Sequence, residues 1–258
     1  MSESILNRFR LDGKVALVTG AATGLGQGIA CGLAEAGART MLIDADHPDE
    51  TLRLISSKGG AAIPMTRNLS GLHPDQAEEI VGEAIQAMGG LDIVVNNAGI
   101  IRRESALDFS KANWEEVLDL NLSSSFYMAQ AAAKSFVERE QQGKIIFMAS
   151  MMSFQGGINV PSYAASKSAI AGVTRALANE WASHGINVNA IAPGYFVSGV
   201  TAGIREDPER SQAILDRIPA GRWGRPDDLK GMAVFLASEA SNYVHGAILP
   251  VDGGWLTG

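Results

Sequence analysis

A serine, a tyrosine and a lysine in one short stretch could together move a proton to or from an alcohol. Ser150 follows the apolar run 144–149, which predicts a buried strand, and Pro161 predicts a helix start. Tyr163 and Lys167 then share one helix face. A nearby ammonium lowers the pKa of a tyrosine from about 10, and the Ser150 hydroxyl would hold the substrate oxygen. A Tyr-x-x-x-Lys pair often arises by chance, so the other motifs must decide whether this pair is catalytic.

A glycine-rich segment near the N-terminus predicts a nucleotide site. The apolar run 14–18 predicts a strand, and T-G-A-A-T-G-L-G at 19–26 leads from it into a helix. Gly20, Gly24 and Gly26 leave room for a phosphate near the backbone, and pyrophosphate would bind at the helix N-terminus. The spacing G-x-x-x-G-x-G differs from the dinucleotide fingerprint G-x-G-x-x-G, which therefore supports the site only by analogy.

An acidic residue ends the second predicted strand. Asp44 follows the apolar run 39–43 and comes eighteen residues after Gly26. A carboxylate at this position of a βαβ unit accepts hydrogen bonds from the adenosine ribose and repels a 2′-phosphate. Ala45 offers no cation to such a phosphate, so the sequence predicts NAD(H) in preference to NADP(H). The alternative is a carboxylate on a surface loop.

The elements alternate between strands and helices along the whole chain. Strands are predicted at 14–18, 39–43, 62–66, 91–95, 144–149, 186–191 and 247–251, and helices at 25–36, 48–57, 74–88, 113–140, 162–183 and 227–238. This alternation predicts one α/β domain over 1–258. Residues 1–13 are expected to form a leader, and about 195–219 a lid over the substrate.

Composition excludes several classes of function. The 258 residues carry a net charge of −7 and no basic stripe, which argues against nucleic acid. The four histidines are scattered and the single cysteine, Cys31, lies in an apolar helix pattern, so no metal site is predicted. With no apolar run of about 18 residues and no apolar signal core, we expect a cytoplasmic protein without membrane contact.

The motifs resemble those of the short-chain dehydrogenase/reductase family in order and spacing. They include the glycine-rich segment at 19–26, N-N-A-G at 96–99, Ser150 with Tyr163-x-x-x-Lys167, Pro193-Gly194 and V-D-G-G at 251–254. The resemblance covers nearly the whole chain. It implies a Rossmann-type, doubly wound, seven-stranded parallel sheet with helices on both faces. It also implies a homotetramer in which helices 113–140 and 162–183 pack across a two-fold axis.

The resemblance also implies site residues. Tyr163 would be the acid/base, Ser150 would orient the substrate and Lys167 would bind the nicotinamide ribose. Asn121, otherwise a polar residue on an exposed helix face, would link Lys167 to solvent in a proton relay. With the motifs above, the expected cofactor residues are Gly20, Thr23, Gly24, Leu25, Gly26, Asp44, Asn68, Leu69, Asn97, Ala98, Gly99, Tyr163, Lys167, Pro193, Gly194, Phe196 and Ser198. Asn68 stands where many members have aspartate, and Ser198 where threonine is usual.

Within the family the chain resembles the dehydrogenases of 2-deoxy-D-gluconate and 2-dehydro-3-deoxy-D-gluconate, through I-R-R-E at 101–104, S-F-Q-G-G-I at 153–158 and R-I-P-A-G-R-W-G at 217–224. A guanidinium suits a sugar-acid carboxylate. The alternative is that both adjacent arginines are solvated loop charges. The expected substrate residues are Arg102, Arg103, Ser150, Met152, Gln155 and Tyr163.

Other functions remain open from the sequence. A gluconate 5-dehydrogenase or a 3-oxoacyl thioester reductase would use the same scaffold and motifs. A non-catalytic NAD(H) sensor or scaffold would keep the fold, but the intact Ser150, Tyr163 and Lys167 argue against it.

Overall fold

A computed structural model describes residues 4–258, so residues 1–3 of the expected leader lie outside the described chain. The strands in this range are β1 (Val15–Thr19), β2 (Arg39–Asp44), β3 (Ala62–Thr66), β4 (Ile93–Asn96), β5 (Gly143–Met148), β6 (Ile186–Pro193) and β7 (Ile248–Val251). They form one seven-stranded sheet, ordered β3-β2-β1-β4-β5-β6-β7, in which every neighbouring pair is parallel. The predicted doubly wound sheet is confirmed.

Helices cover both faces of this sheet. The helices are α1 (Gly24–Glu35), α2 (Asp49–Ser57), α3 (Pro74–Met88), α4 (Lys111–Leu118), α5 (Ser125–Glu138), α6 (Pro161–Trp181), α7 (Ala202–Arg205), α8 (Pro208–Leu215) and α9 (Lys230–Ala237). One core joins Leu17 of β1 to α3, α5 and α6, and the other joins Ala16 and Val18 to α1, α2 and α9. Because both faces of β1 are covered, its five residues are apolar or small and all are buried.

The strand order reverses next to β1. From β1 the chain proceeds outward to β2 and β3, then returns to pair β4 on the other side of β1. Loops leaving β1 and β4 therefore diverge to opposite faces at their carboxyl ends, and open α/β sheets bind ligands in the resulting crevice. The glycine-rich loop and N-N-A-G both start at this edge.

The predicted helical region over 113–140 is present, but its middle is not an α-helix. Ser110 caps α4, its hydroxyl accepting from Asn113 N at 3.3 Å, and the chain then widens into a π-helix, Asp119–Ser124, before α5 begins. The wide turn carries Asn121, which is 0% exposed and does not lie on a solvated face. π-helical turns inside α-helices are frequent at functional sites.

The segment expected to form a lid contains two short helices on a core of their own. Ile204, Ile214 and Ile218 pack with Met151, Met152 and Trp255, apart from the two cores beside the sheet. In the expected leader, Ile5–Phe9 forms a 3₁₀ helix and Leu11 is buried. Helices α7 and α8 are thus attached through a small apolar cluster, whereas Phe196 of the same segment packs in one of the two main cores.

Candidate active site

A cavity of about 410 Å³ opens at the carboxyl edge of the sheet. All seventeen residues that the sequence analysis expects at the cofactor line it, from Gly20 on the first loop to Ser198 after β6. Ile43, Ala45, Arg67, Ile100, Leu120, Met148, Ala149, Ser150, Gly199, Val200 and Thr201 complete the lining. The cavity thus brings together residues from the ends of six strands, β1 to β6.

The glycine-rich loop is shaped by close backbone contacts. A Cβ on Gly26 would lie 1.9 Å from the Gly20 carbonyl oxygen, so no side chain fits there. Gly20 adopts φ +65°, a conformation that favours glycine. Asn97 fixes the loop from the neighbouring strand end by donating Nδ2 hydrogen bonds to the carbonyls of Thr19 (3.0 Å) and Gly20 (2.9 Å). The Asn97 amide therefore both lines the cavity and holds the loop that would contact phosphate.

Asp44 lies at the mouth of the cavity and is fixed by backbone donors. Its carboxylate accepts from Ala22 N at 2.8 Å and from Asp46 N at 3.3 Å. Arg67 lines the same cavity, its guanidinium donating to Glu83 at 2.9 Å, and the sequence analysis missed it. The sequence position of Arg67 could have indicated this, since Arg67 directly follows β3, which pairs with β2. The cavity is therefore lined by the Asp44 carboxylate and by Arg67, whose guanidinium is paired with Glu83.

Lys167 carries its ammonium into a buried position. The side chain is buried, and Nζ donates to the Met148 carbonyl at 2.7 Å and lies 5.6 Å from the centre of the Tyr163 ring. Burial lowers the pKa of Lys167 to about 8. Burial thus disfavours the charged form of Lys167, and its hydrogen bond to the Met148 carbonyl holds the ammonium beside the tyrosine.

The pKa of Tyr163 is raised in the structure, whereas the sequence analysis expects it to be lowered. Burial raises the pKa of its hydroxyl, while hydrogen bonding with Ser150 and the charge of Arg103 lower it by less. The sequence analysis considered the charge of Lys167 and not desolvation, which is the larger effect. The hydroxyl therefore stays protonated at neutral pH in the protein by itself.

Ser150 is positioned by a turn that is joined to α6, the helix that carries Tyr163 and Lys167. Its Oγ accepts from Met152 N at 3.2 Å as the cap of a 3₁₀ turn, Met151–Ser153. At the end of that turn, Ser153 Oγ donates to the Lys167 carbonyl at 2.6 Å. The turn and α6 therefore move as one unit, which fixes Ser150 relative to Tyr163.

Asn121 acts as a link between three elements. Its Oδ1 accepts from Ile100 N at 2.8 Å, and its Nδ2 donates to the Ile100 carbonyl at 2.9 Å and to Ser166 Oγ at 3.2 Å. Ser166 Oγ in turn donates to the Tyr163 carbonyl at 2.8 Å. Asn121 reaches Tyr163 through this chain without lining the cofactor cavity.

A second cavity of about 110 Å³ adjoins Tyr163 and Ser150. Arg103 and Met152 line it, as the sequence analysis expects of substrate residues. Two expected residues do not. Arg102 forms an ion pair with Glu116 at 2.6 Å, because adjacent loop residues point in different directions, and Gln155 lies outside the lining. These two residues therefore lie outside the cavity that Arg103 and Met152 line.

The lid supplies lining residues that the sequence analysis missed. Tyr195, Ile204 and Arg210 face the second cavity beside Arg103 and Tyr163. Tyr195 packs edge-on against Trp255 with ring centres 4.8 Å apart. The mixed periodicity of this segment gave no signal for which side chains point inward.

Comparison with known proteins assigns the family. The family model described as enoyl-(acyl carrier protein) reductase, a short-chain dehydrogenase model, matches residues 20–256. The chain belongs to the short-chain dehydrogenase/reductase family. It is therefore an oxidoreductase of a family that uses a nicotinamide cofactor, and the large cavity suits such a group because its glycine loop excludes side chains beside the phosphate position.

Individual relatives of this short-chain dehydrogenase/reductase are similar over its whole length. The 2-dehydro-3-deoxy-D-gluconate 5-dehydrogenase of Dickeya dadantii (strain 3937) is 56% identical over 252 residues, covering 98% of this chain and 99% of the relative. A solved candidate 2-deoxy-D-gluconate 3-dehydrogenase from Agrobacterium tumefaciens with bound NADP is 52% identical, with TM-score 0.93 and coverage of 98% and 100%. A gluconate 5-dehydrogenase from Burkholderia cenocepacia J2315, in complex with NADP and tartrate, is 38% identical, with TM-score 0.91 and coverage of 99% and 100%.

Residues 4–258 contain neither a membrane-spanning helix nor a grouped set of metal ligands. No helix there is both long and apolar enough to cross a membrane. In the same range no three His, Cys, Asp or Glu side chains are grouped so that they could hold a metal ion.

The buried ammonium makes a prediction about stability. Lys167→Met should raise the free energy of unfolding at pH 7 by about 1–3 kcal/mol while abolishing turnover. One pKa unit corresponds to about 1.4 kcal/mol, and the orphaned Met148 carbonyl offsets about 1 kcal/mol. Urea denaturation measures the difference.

The pH dependence follows from the lowered pKa. Below about pH 8 the wild-type lysine is charged in both states and the advantage of Met is complete. Between about pH 8 and 10.5 the unfolded chain binds more protons, so the wild type gains stability and the advantage declines. The control is Lys58→Met, which removes an exposed lysine paired with Glu35. A destabilised Lys167→Met at pH 7 would contradict the analysis.

Proposed function

We propose that this protein interconverts a secondary alcohol and a ketone on a sugar acid such as 2-deoxy-D-gluconate or 2-dehydro-3-deoxy-D-gluconate, with NAD(H) as cofactor. The observation that carries the proposal is the second cavity, in which the Arg103 guanidinium and the Tyr163 hydroxyl line the same 110 Å³. A hydroxy acid presents a carboxylate and a reacting hydroxyl to such a pair. The names of the relatives, which are dehydrogenases of gluconate derivatives, agree with this substrate class.

Tyr163 is the acid/base of the proposed mechanism. In oxidation it accepts the proton of the substrate hydroxyl, and in reduction it returns one to the ketone oxygen. Ser150, capped by its turn, donates a hydrogen bond to the same oxygen and holds it beside the tyrosine. The nicotinamide cofactor, held by the glycine loop, Lys167 and the Pro193–Ser198 segment, supplies the hydride acceptor or donor.

Lys167 and Asn121 serve the tyrosine in different ways. The ammonium next to the ring favours the phenolate, opposing the burial that raises the pKa of Tyr163. Asn121 fixes the first turn of α6 through Ser166, so that the hydroxyl stays aimed at the substrate. Because the pKa of Lys167 is about 8, the lysine can also exchange a proton near neutral pH.

The cofactor preference rests on Asp44. Its carboxylate, fixed by Ala22 N and Asp46 N, would accept hydrogen bonds from the ribose hydroxyls of NAD(H). Arg67 in the same cavity offers a guanidinium that would tolerate a 2′-phosphate, in keeping with relatives crystallised with NADP. We therefore propose that NAD(H) is preferred and NADP(H) is accepted with lower efficiency.

Asp44→Ser tests this preference. Losing hydrogen bonds to a charged group costs about 1.5–3 kcal/mol, so kcat/KM with NAD should fall about ten- to a hundredfold and the preference for NAD should be lost. The matched control is Asp46→Ser, which removes a neighbouring exposed carboxylate outside the cavity. A wild-type kcat/KM that is equal or higher with NADP would overturn the preference.

The substrate class is tested by comparing the two adjacent arginines. Arg103→Gln should lower kcat/KM for 2-deoxy-D-gluconate about ten- to a hundredfold and leave the corresponding alditol, which lacks the carboxylate, nearly unaffected. Arg102→Gln is the matched control, since that guanidinium is paired with Glu116. Oxidation is followed by nicotinamide absorbance.

Three results would contradict the proposal. Equal losses of kcat/KM on the acid and the alditol in Arg103→Gln would show that Arg103 does not contact the carboxylate. Faster turnover of a 3-oxoacyl thioester than of any hexonate would indicate the competing reductase. Absence of turnover on the whole panel, with NAD(H) still bound, would support a non-catalytic sensor.

A further inference from the structure

We propose that Arg210, on the lid, is a second ligand of the substrate carboxylate and forms with Arg103 one site of two guanidinium groups. The inference rests on the proposed sugar-acid function and extends it to a residue of the lid. It also assigns the class of ligand, a hydroxy acid whose carboxylate bridges the body of the protein and the lid.

The two arginines reach the same cavity from different parts of the chain. Arg103 follows the N-N-A-G loop at the end of β4, whereas Arg210 lies in the first turns of α8. Both line the cavity that contains the Tyr163 and Ser150 side chains. A carboxylate bound in this cavity would have an arginine from each of the two segments available to it.

The charges of this cavity are unbalanced. In residues 4–258 neither Arg103 nor Arg210 takes part in an ion pair, whereas Arg102, Arg67 and Arg222 are each paired with a carboxylate. Arg103 donates to the Val200 carbonyl at 3.0 Å. Its pKa is lowered by burial and by the charge of Arg210. Two cations that repel each other without a compensating anion favour an anionic ligand.

The nearby carboxylates have other partners. Asp207 caps α8, accepting from Arg210 N at 3.1 Å, so it serves the backbone and not the guanidinium. Glu104, next to Arg103, accepts from Ser110 N at 2.7 Å and from the Asn113 side chain. A carboxylate brought by a substrate would therefore find both guanidinium groups available.

Two guanidinium forks match the acceptors of one carboxylate. Its two oxygens offer about four lone-pair sites, and each fork can donate two parallel hydrogen bonds. Because one fork is on the lid and the other on the body, binding the anion also holds α7 and α8 over the site. The lid rests on the small cluster of Ile204, Ile214, Ile218, Met151, Met152 and Trp255, so this additional link would favour its closed position.

Arg210→Gln and Arg210→Lys test the assignment. Arg210→Gln should raise KM for 2-deoxy-D-gluconate about ten- to a hundredfold with a smaller change in kcat, and leave the alditol within about twofold. Arg210→Lys keeps the charge without the fork and should recover part of the loss. The control is Arg53→Gln, which removes an exposed arginine paired with Glu50 on α2. Equal losses on acid and alditol would show a merely structural role and overturn the proposal.

A binding experiment separates this inference from the proposed function. Calorimetric titration of the NAD complex with tartrate requires no turnover. Arg210→Gln should weaken tartrate binding at least about tenfold relative to Arg53→Gln. Unchanged binding, or no binding to the wild type, would overturn the site even if hexonates are oxidised. Tighter binding of inorganic phosphate than of tartrate, lost in Arg210→Gln, would assign a phosphoryl group and contradict the carboxylate.

Discussion

The hydrogen bond between Lys167 Nζ and the Met148 carbonyl is the interaction on which the site depends. It joins the end of β5 to α6 with an N···O distance of 2.7 Å, and the lysine side chain that it holds is buried. Burial lowers the pKa of Lys167 to about 8 and raises that of Tyr163, so the charged form of each group is disfavoured. Such paired perturbations are typical of catalytic sites, and their cost must be met by the rest of the fold.

The fold meets this cost by fixing α6 at several points. Ser153 donates to the Lys167 carbonyl, and Ser166 joins the same helix to Asn121 in the π-helical turn. The other side of the cavity is fixed separately, by Asn97 and the glycine-rich loop. These links all lie at the carboxyl edge of the sheet, where the buried strands provide rigid ends for them. Segment 195–219 is attached through the small cluster around Ile204, Ile214 and Ile218 and through Phe196 in one of the two main cores.

The sequence predicted the features that depend on local pattern. Apolar runs located the seven strands, and the glycine spacing located a loop where a Cβ on Gly26 would meet backbone. Features decided by neighbours in space were missed or wrong. The helical region around Asn121 was predicted without its π-helical turn, and the pKa of Tyr163 depends on burial that the Tyr-x-x-x-Lys motif does not reveal. The sequence did not reveal that Arg102 forms an ion pair with Glu116, nor that Arg210 lines the second cavity.

The central claim is that Tyr163 transfers the proton at the reacting carbon. The most direct measurement is the rate of a single turnover by Tyr163→Phe with saturating NAD and a sugar acid, together with its affinity for NAD. The account predicts a loss of at least about a hundredfold in rate, the usual size of a general acid–base contribution, with affinity for NAD near that of the wild type. Turnover at the wild-type rate would contradict it.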